Sequence, residues 1–290
     1  MGRLAAGTHL VPAMIVDCHV HLNDYEEPEG PTLDRCLDRL LLTMRRNRVD
    51  LALVLTSYTV TPARPSTRAV VEATRDLPHL YVVAGLDYTT FTPDHLAELA
   101  EYVREGKVRG LKLYPGYQPF YPSDPKWSPA YAFAAEHQIP VMIHTGDTFS
   151  ARGKLRYAHP LHVDEVAVDF PDVRFVICHI GNPWTRDCME VVYKNANVYT
   201  DISGLTLGVF EDRFEAYMRK QVQEMLLYGV EPDAVLYGTD WPIASMESYI
   251  EFMQELTIPA KDRRKMMADN AIELFRLDPG NSLLGNRARR

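Results

Sequence analysis

The sequence predicts an α/β protein built as a single (β/α)8 barrel, also called a TIM barrel. Two observations predict it. Short apolar runs rich in β-branched residues alternate with longer amphipathic segments, and the short runs are almost uninterrupted in their apolar character. Strands buried on both faces have this composition, and about eight of them separated by helices are typical of a closed parallel barrel. The chain of 290 residues is long enough for one such barrel.

The elements follow one another in regular alternation. The predicted strands cover residues 14–21, 50–57, 80–86, 110–114, 140–144, 174–179, 198–202 and 234–238. The predicted helices cover residues 32–48, 93–105, 128–137, 161–169 and 211–228. An open doubly wound sheet is the competing architecture, but it normally carries a glycine-rich phosphate turn after its first strand, and here a His-Val-His segment occupies that place. We expect the barrel to cover residues 12–279, after a leader (1–11) and before a frayed polar tail (280–290).

Composition and charge limit the class of partner. The net charge of −8 and the pI of about 5.7 give no general electrostatic reason to bind nucleic acid or an anionic membrane. No apolar run approaches the roughly 20 residues of a membrane span, and the N-terminus lacks a convincing signal peptide. The four cysteines form no C-x-x-C pair, which favours a reducing cytoplasm. We expect a cytoplasmic protein with a small-molecule substrate, and a homo-oligomer stays open.

The first strand ends in two histidines, His19 and His21, that lie two residues apart. Active-site groups of such barrels lie at the C-terminal ends of the strands. Residues two apart on a strand face the same side, so both imidazoles can share one metal ion, at about 2.0–2.1 Å for zinc. Two incidental histidines are the alternative, and the pair alone does not decide between them.

Strands four, five, six and eight also carry polar residues near their ends. Lys112 lies inside an apolar strand, where lysines are rare and costly; it either belongs to the metal site or reaches solvent or a carboxylate. His144 and His179 end successive strands, each near a loop glycine. Asp240 ends the eighth strand, although a turn or helix-capping aspartate is an alternative there because Pro242 follows.

These nitrogen and oxygen ligands suit a divalent metal such as zinc, manganese, iron or cobalt. A catalytic metal lowers the pKa of water towards 7 and so makes hydroxide available, and Asp240 or His179 can then move the proton. Strand alternation points Cys18 and Cys178 away from this site, and we expect both to be small core residues.

The motifs resemble the amidohydrolase superfamily, most closely the branch called amidohydrolase family 2. They occur in the order DCHVH, GLKLYPGYQ, VMIHTGD, VICHIGN and YGTDWP, followed by MMADNAIELFRL, which is similar to the family's last helix. The resemblance covers about residues 15–277. It implies a metal-dependent hydrolase in which metal-activated water attacks an amide, lactone or ester, while His179 stabilises the oxyanion and Asp240 transfers the proton.

The resemblance also implies the metal ligands. His19, His21, His144 and Asp240 would bind one ion, most simply Zn²⁺, with His179 as an acid, base or polarising group. The lysine pattern is instead similar to that of dihydroorotases, in which the equivalent lysine is carboxylated and bridges two metals; Lys112 and His179 would then both be ligands. Both arrangements stay open, and the short chain favours one metal.

Loop residues provide the candidate substrate contacts, namely Tyr114, Asp147, Arg152 and Trp184. The basic residues after strand five, Arg152 among them, can hold a substrate carboxylate or simply belong to a solvated loop. Decarboxylation of an unsaturated or aromatic acid is the second reaction that the family branch implies, and an arginine facing a substrate carboxylate would favour it. A non-catalytic metal-binding protein is the third candidate.

Overall fold

The computed structural model describes residues 14–23 and 32–285, which form a barrel of eight parallel strands. The strands are β1 (Val16–Val20), β2 (Leu51–Leu55), β3 (Leu80–Gly85), β4 (Val108–Leu113), β5 (Val141–Ile143), β6 (Phe175–Ile177), β7 (Val198–Asp201) and β8 (Val235–Leu236). Each strand pairs with the next in chain order. Backbone bonds close the ring: Cys18 N–H donates to Tyr237 O at 3.0 Å, and Asp240 N–H donates to His19 O at 2.8 Å. The predicted fold class is confirmed.

Helices surround the barrel. They are α1 (Leu33–Asn47), α2 (Thr67–Ala73), α3 (Asp94–Arg104), α4 (Ser128–His137), α5 (Leu161–Asp169), α6 (Thr185–Lys194), α7 (Asp212–Tyr228), α8 (Met246–Glu255), α9 (Ala260–Arg264) and α10 (Asn270–Phe275). The five helices predicted from periodicity agree with the structure to within one residue at each end, because each buries a stripe of apolar residues at helical spacing. Within the described ranges, no helix is long and apolar enough to cross a membrane.

The barrel has an inner and an outer core. The inner core consists of strand residues that face the barrel axis, such as Leu53, Val83 and Val176, together with Leu274 and Phe275 of α10. The outer core lies between the strands and the surrounding helices. Inner side chains and α10 fill the N-terminal end of the barrel, so among the residues that the structure describes it is the C-terminal end of the strands that opens to a ligand.

The chain beyond residue 279 is partly held in place. Leu283 N–H donates to Asp50 O at 2.9 Å, and the Ser282 hydroxyl donates to the Asp50 carboxylate. Asp50 is buried, and its carboxylate also accepts the Ile15 N–H at 2.9 Å. Ser282 and Leu283 are therefore bonded to the barrel, whereas the expectation was a frayed tail over residues 280–290. The predicted leader and residues 286–290 lie outside the described residues.

Seven of the eight strands are shorter than predicted, and two of these differences shape the site. The sixth strand ends at Ile177, because Cys178–Gly181 form a turn in which His179 (φ 63°) and Ile180 (φ 45°) are left-handed. The eighth strand is only Val235–Leu236. The histidine at the end of β6 therefore lies on a turn, which breaks the alternation on which the prediction for Cys178 depended.

Candidate active site

A cluster of imidazoles and one carboxylate lies at the C-terminal end of the barrel. Asp240 Oδ1 is 3.1 Å from His21 Nε2 and 3.8 Å from His19 Nε2. Metal-binding atoms of His19, His179 and Asp240 lie within 4.8 Å of one another. These three residues and His21 are each at most 8% exposed. The structure thus brings together side chains that are separated by more than 200 positions in the sequence.

Three of the imidazoles are oriented by hydrogen bonds from their Nδ1 atoms. His19 Nδ1–H donates to Asp201 Oδ2 at 2.8 Å, His21 Nδ1–H donates to Leu55 O at 2.8 Å, and His179 Nδ1–H donates to Ser203 O at 3.0 Å. Because the Nδ1 atoms carry the protons, each Nε2 lone pair is available to a metal. Such partners fix the tautomer and the orientation of metal-binding histidines.

His144 belongs to the same cavity but is held differently. Its ring centroid is 5.1 Å from that of His179, and its Nε2–H donates to Asp147 O at 3.0 Å. This bond leaves Nδ1 as the nitrogen that His144 can offer. The structure therefore places all four predicted histidines and Asp240 at one site, with His144 presenting a different nitrogen from the other three.

The protonation states suit a cation site. Burial, aided by the charge of Lys112, lowers the pKa of His19 to about 4, so this imidazole is neutral at pH 7. Burial lowers the pKa of His144 as well. Burial alone would raise the pKa of Asp240, but the neighbouring imidazoles, His21 foremost and then His19, outweigh burial, so the pKa lies below its usual range.

Asp201, at the end of β7, is a site residue that the sequence analysis missed. It is fully buried. Besides the His19 bond, its Oδ1 accepts the backbone N–H of His179 at 2.8 Å and that of Ser203 at 3.1 Å. One carboxylate therefore orients the His19 imidazole, from β1, and fixes the backbone of His179, in the turn after β6. The signal was present in the sequence, since an acidic residue ends an apolar strand just as Asp240 does.

The backbone of the site is strained and closely packed. His179 and Asp240 both have positive φ angles, 63° and 66°, a conformation that costs a non-glycine residue about 1–3 kcal/mol and often marks a functional site. Gly204 (φ 61°) lies against them: a Cβ there would be 2.6 Å from His179 Nδ1 and 3.0 Å from Asp240 Oδ2. Only glycine fits between the two side chains.

Lys112 is fully buried beneath the cluster. Its Nζ donates to Cys178 Sγ at 2.6 Å and lies 5.4 Å from the centroid of the Tyr114 ring. Cys178 therefore faces the barrel interior next to Lys112. It is a buried core residue as predicted, but the prediction that it points away from the site was wrong, because the chain turns directly after β6. Cys18 is a buried member of the inner core, and its core assignment agrees with the structure.

A cavity of about 400 Å³ opens above the cluster. Besides the cluster residues and Lys112, it is lined by Tyr58, Arg64, Tyr114, Tyr117, Asp147, Phe149, Asn182, Leu207 and Phe214, among others. Tyr58 and Tyr117 stack with ring centroids 6.0 Å apart, and Arg64 Cζ lies 5.7 Å from the Tyr58 ring centroid. Aromatic faces and a cation therefore line one cavity that also contains the proposed metal ligands.

Two of the four predicted substrate contacts lie on this cavity and two do not. Tyr114 and Asp147 line it. Arg152 is not among the lining residues and lies in an exposed turn of the β5–α5 loop. Trp184 precedes α6 and packs on His159, with ring centroids 4.7 Å apart. The prediction placed a basic residue after β5, but the arginine on the cavity is Arg64, from the loop after β2.

The residues fit a divalent metal ion. The site offers nitrogen from neutral imidazoles and oxygen from an ionised carboxylate, a ligand set that suits zinc, manganese, iron or cobalt. The Nδ1 bonds already fix the tautomers that such binding needs. A second group of potential ligand atoms lies within 4.8 Å of one another, on His19, Cys178 and Asp201. Hydrogen bonds already engage these side chains, because His19 bonds to Asp201 and Lys112 bonds to Cys178.

Comparison with known proteins gives two curated relatives at modest identity. The one with the longer match is a gamma-resorcylate decarboxylase from Rhodococcus jostii, which is 22% identical over 192 residues. The match covers 56% of this chain and 58% of that protein, so the chain spans less than two thirds of its length.

Solved structures share the fold over almost the whole chain. An uncharacterised TIM-barrel protein from Bordetella bronchiseptica has a TM-score of 0.72 at 22% identity, covering 91% of this chain and 99% of that one. A Pseudomonas putida protein provisionally assigned as a 2-pyrone-4,6-dicarboxylic acid hydrolase has a TM-score of 0.68 at 19% identity (92% and 98%). A 5-carboxyvanillate decarboxylase from Novosphingobium aromaticivorans, complexed with manganese and a nitrobenzoic acid, has a TM-score of 0.64 at 14% identity (94% and 98%).

At these identities the solved structures show the fold alone. The sequence profile of the amidohydrolase family, by contrast, matches residues 16–277, a range that runs from β1 through α10 and includes every cluster residue described above. The chain belongs to the amidohydrolase family.

Proposed function

We propose that this chain is a metal-dependent decarboxylase of a small aromatic carboxylic acid. The observation that carries the proposal is the composition of the cavity, in which Arg64 and the stacked Tyr58 and Tyr117 rings share one space with the imidazole and carboxylate cluster. A guanidinium pairs with a carboxylate, and aromatic rings pack against one another. The gamma-resorcylate and 5-carboxyvanillate decarboxylases among the similar proteins support the same substrate class.

We assign the metal to the predicted ligands His19, His21, His144 and Asp240, with His179 beside them. A divalent ion there would supply positive charge that polarises a substrate oxygen. Zn²⁺ is the ion that the resemblance most simply implies, and the manganese in the 5-carboxyvanillate decarboxylase complex makes Mn²⁺ an equal candidate. We propose a single ion, because the Lys112 amine already bonds to the Cys178 thiol and so is not free to bridge two ions.

Asp240 moves the proton in this proposal. Decarboxylation breaks the bond between the ring carbon and the carboxylate carbon, leaves the electron pair on the ring carbon and requires a proton at that carbon. Asp240 is ionised at rest because His21 and His19 lower its pKa. It relays one proton from solvent to the ring carbon as CO₂ leaves and is then ionised again, so one proton is consumed for each CO₂ released. His179, which its Ser203 bond orients, holds a substrate oxygen in place.

Hydrolysis of a lactone, amide or ester, the leading prediction from sequence, is the second candidate. It is favoured by the short distance between the Asp240 carboxylate and the imidazoles, because Asp240 can equally take the proton of an attacking water and pass it to a leaving group. The structural similarity to the Pseudomonas putida protein provisionally assigned as a 2-pyrone-4,6-dicarboxylic acid hydrolase supports this candidate.

Isotope labelling distinguishes the two reactions. Protein loaded with Mn²⁺ or Zn²⁺ is incubated with hydroxybenzoates labelled with ¹³C at the carboxyl carbon, and in parallel with lactones, pyrones and amides. We expect release of ¹³CO₂, and we expect Asp240→Asn to lower the rate by about 10²–10⁴-fold. The exposed Asp212, on the first turn of α7, is the control, and Asp212→Asn should keep the wild-type rate. Ring-opened or cleaved products without ¹³CO₂ would establish hydrolysis instead.

A further inference from the structure

Three large apolar side chains are exposed at the mouth of the cavity. Phe149 is 68% exposed, Leu207 is 59% exposed and Phe214 is 40% exposed, and all three line the same cavity as the proposed metal ligands. Isolated exposed apolar residues are ordinary. Three of them that converge from separate parts of the chain onto one opening form an apolar surface of the kind that marks a binding site.

This surface is held in place by hydrogen bonds. Phe149 N–H donates to the Tyr117 hydroxyl at 2.9 Å. Beside Leu207, Gly208 N–H donates to Ile243 O at 2.7 Å, and Ser245 N–H donates to Gly208 O at 2.7 Å. Phe214 lies on the first turn of α7. Bonds to other loops thus fix the segments that carry Phe149 and Leu207, and their exposure is a feature of the fold.

The lining of the cavity changes from its buried end to its mouth. The buried end contains imidazoles, a carboxylate and a lysine, whereas Phe149, Leu207 and Phe214 give the mouth an apolar part beside the exposed Asp147. We propose that the substrate is an aromatic acid with an apolar extension, whose acidic ring lies at the buried end and whose extension covers the three mouth residues. The identity of the acidic ring rests on the proposed function, but the apolar extension rests on the mouth alone.

A second copy of the chain is the alternative occupant of this surface. A stable protein interface needs about 800 Å² from each partner, and three partly exposed side chains are a small part of such an area. The three residues are also continuous with the cavity lining. Both points favour a ligand that extends out of the cavity.

Binding of anions that cannot be decarboxylated tests the proposal apart from any reaction. The probes are benzenesulfonate, 4-propylbenzenesulfonate and 4-hexylbenzenesulfonate, titrated by calorimetry into the metal-loaded protein. We expect affinity to rise by about two- to fourfold for each methylene that leaves water, so at least tenfold from benzenesulfonate to the hexyl compound. The variant Phe149→Ser/Leu207→Ser/Phe214→Ser should lose this dependence on chain length while it still binds benzenesulfonate.

The matched control is Leu42→Ser/Val168→Ser/Leu227→Ser, which alters three exposed apolar residues on the outer helices, at 48%, 57% and 88% exposure, and should behave as wild type. Equal affinity of the wild type for all three probes would overturn the proposal. So would a triple variant of Phe149, Leu207 and Phe214 (the mouth variant) whose affinity depends on alkyl chain length as that of the wild type does. A dimer that the mouth variant alone dissociates, without any dependence on chain length, would identify a subunit interface and also overturn it. Dependence on chain length without release of ¹³CO₂ supports the apolar mouth and refutes the decarboxylase assignment.

Discussion

Replacing Asp201 by asparagine should weaken metal binding without unfolding the barrel. Asp201 Oδ2 accepts the proton of His19 Nδ1 at 2.8 Å, and Oδ1 accepts the backbone N–H groups of His179 and Ser203. An asparagine side chain keeps one accepting oxygen. If that oxygen keeps the two backbone bonds, the NH₂ group faces His19 and favours the tautomer whose proton is on Nε2, the nitrogen that must bind the metal.

The size of the effect follows from that change of tautomer. Loss of a partner that orients a metal-binding histidine typically lowers metal affinity about 10–100-fold, which corresponds to about 1.4–2.8 kcal/mol. We expect Asp201→Asn to lie at the upper end of this range, because the amide both removes the charge and opposes the productive tautomer of His19. The dissociation constants for Zn²⁺ and Mn²⁺ are measured on metal-free protein by competition with a chromogenic chelator, and circular dichroism checks the fold.

Asp50→Asn provides the matched control. Asp50 is also a buried carboxylate that accepts a backbone N–H, that of Ile15 at 2.9 Å, and a hydroxyl, that of Ser282. It lies at the opposite end of the barrel, so its asparagine variant should lower the melting temperature and leave the metal affinity unchanged. The reasoning is refuted if Asp201→Asn binds metal within twofold of wild type, or if Asp50→Asn weakens binding to the same extent.

Three further predictions concern the same site. Gly204→Ala should destabilise the protein by about 1–2 kcal/mol, because alanine is strained in the left-handed backbone conformation. It should also weaken metal binding by displacing His179. A melting temperature and a metal affinity equal to those of the wild type would contradict the predicted contact. His19→Ala combined with His21→Ala should abolish stoichiometric metal in elemental analysis while the circular dichroism spectrum stays that of a folded barrel, and full metal content would disprove the ligand assignment. Lys112→Met, measured by elemental analysis in bicarbonate buffer, should bind one metal per chain as the wild type does; two ions in the wild type and one in the variant would instead indicate a carboxylated lysine.

Much of the site could be predicted because its residues end predicted strands. His19, His144 and Asp240 could each be found by asking which polar side chain follows an apolar run. Asp201 follows the same rule but has no histidine beside it in the sequence, and its partner His19 is 182 positions away. The loop residues were harder to predict, because no periodicity relates a loop side chain to the cavity: Arg64 was missed, while Arg152 was predicted and lies in an exposed turn.

By itself the sequence determined the barrel, the boundaries of its predicted helices and the residue types that meet at its mouth. Apolar periodicity is a local property of the chain, and the parallel barrel brings every strand end to the same face. Only the tertiary structure decided which nitrogen each imidazole presents, that Cys178 turns towards Lys112, and that Phe149, Leu207 and Phe214 surround the entrance. These features depend on bonds between distant residues and on left-handed backbone at His179 and Asp240. The packing of the whole barrel can stabilise such a strained backbone, whereas the local sequence cannot.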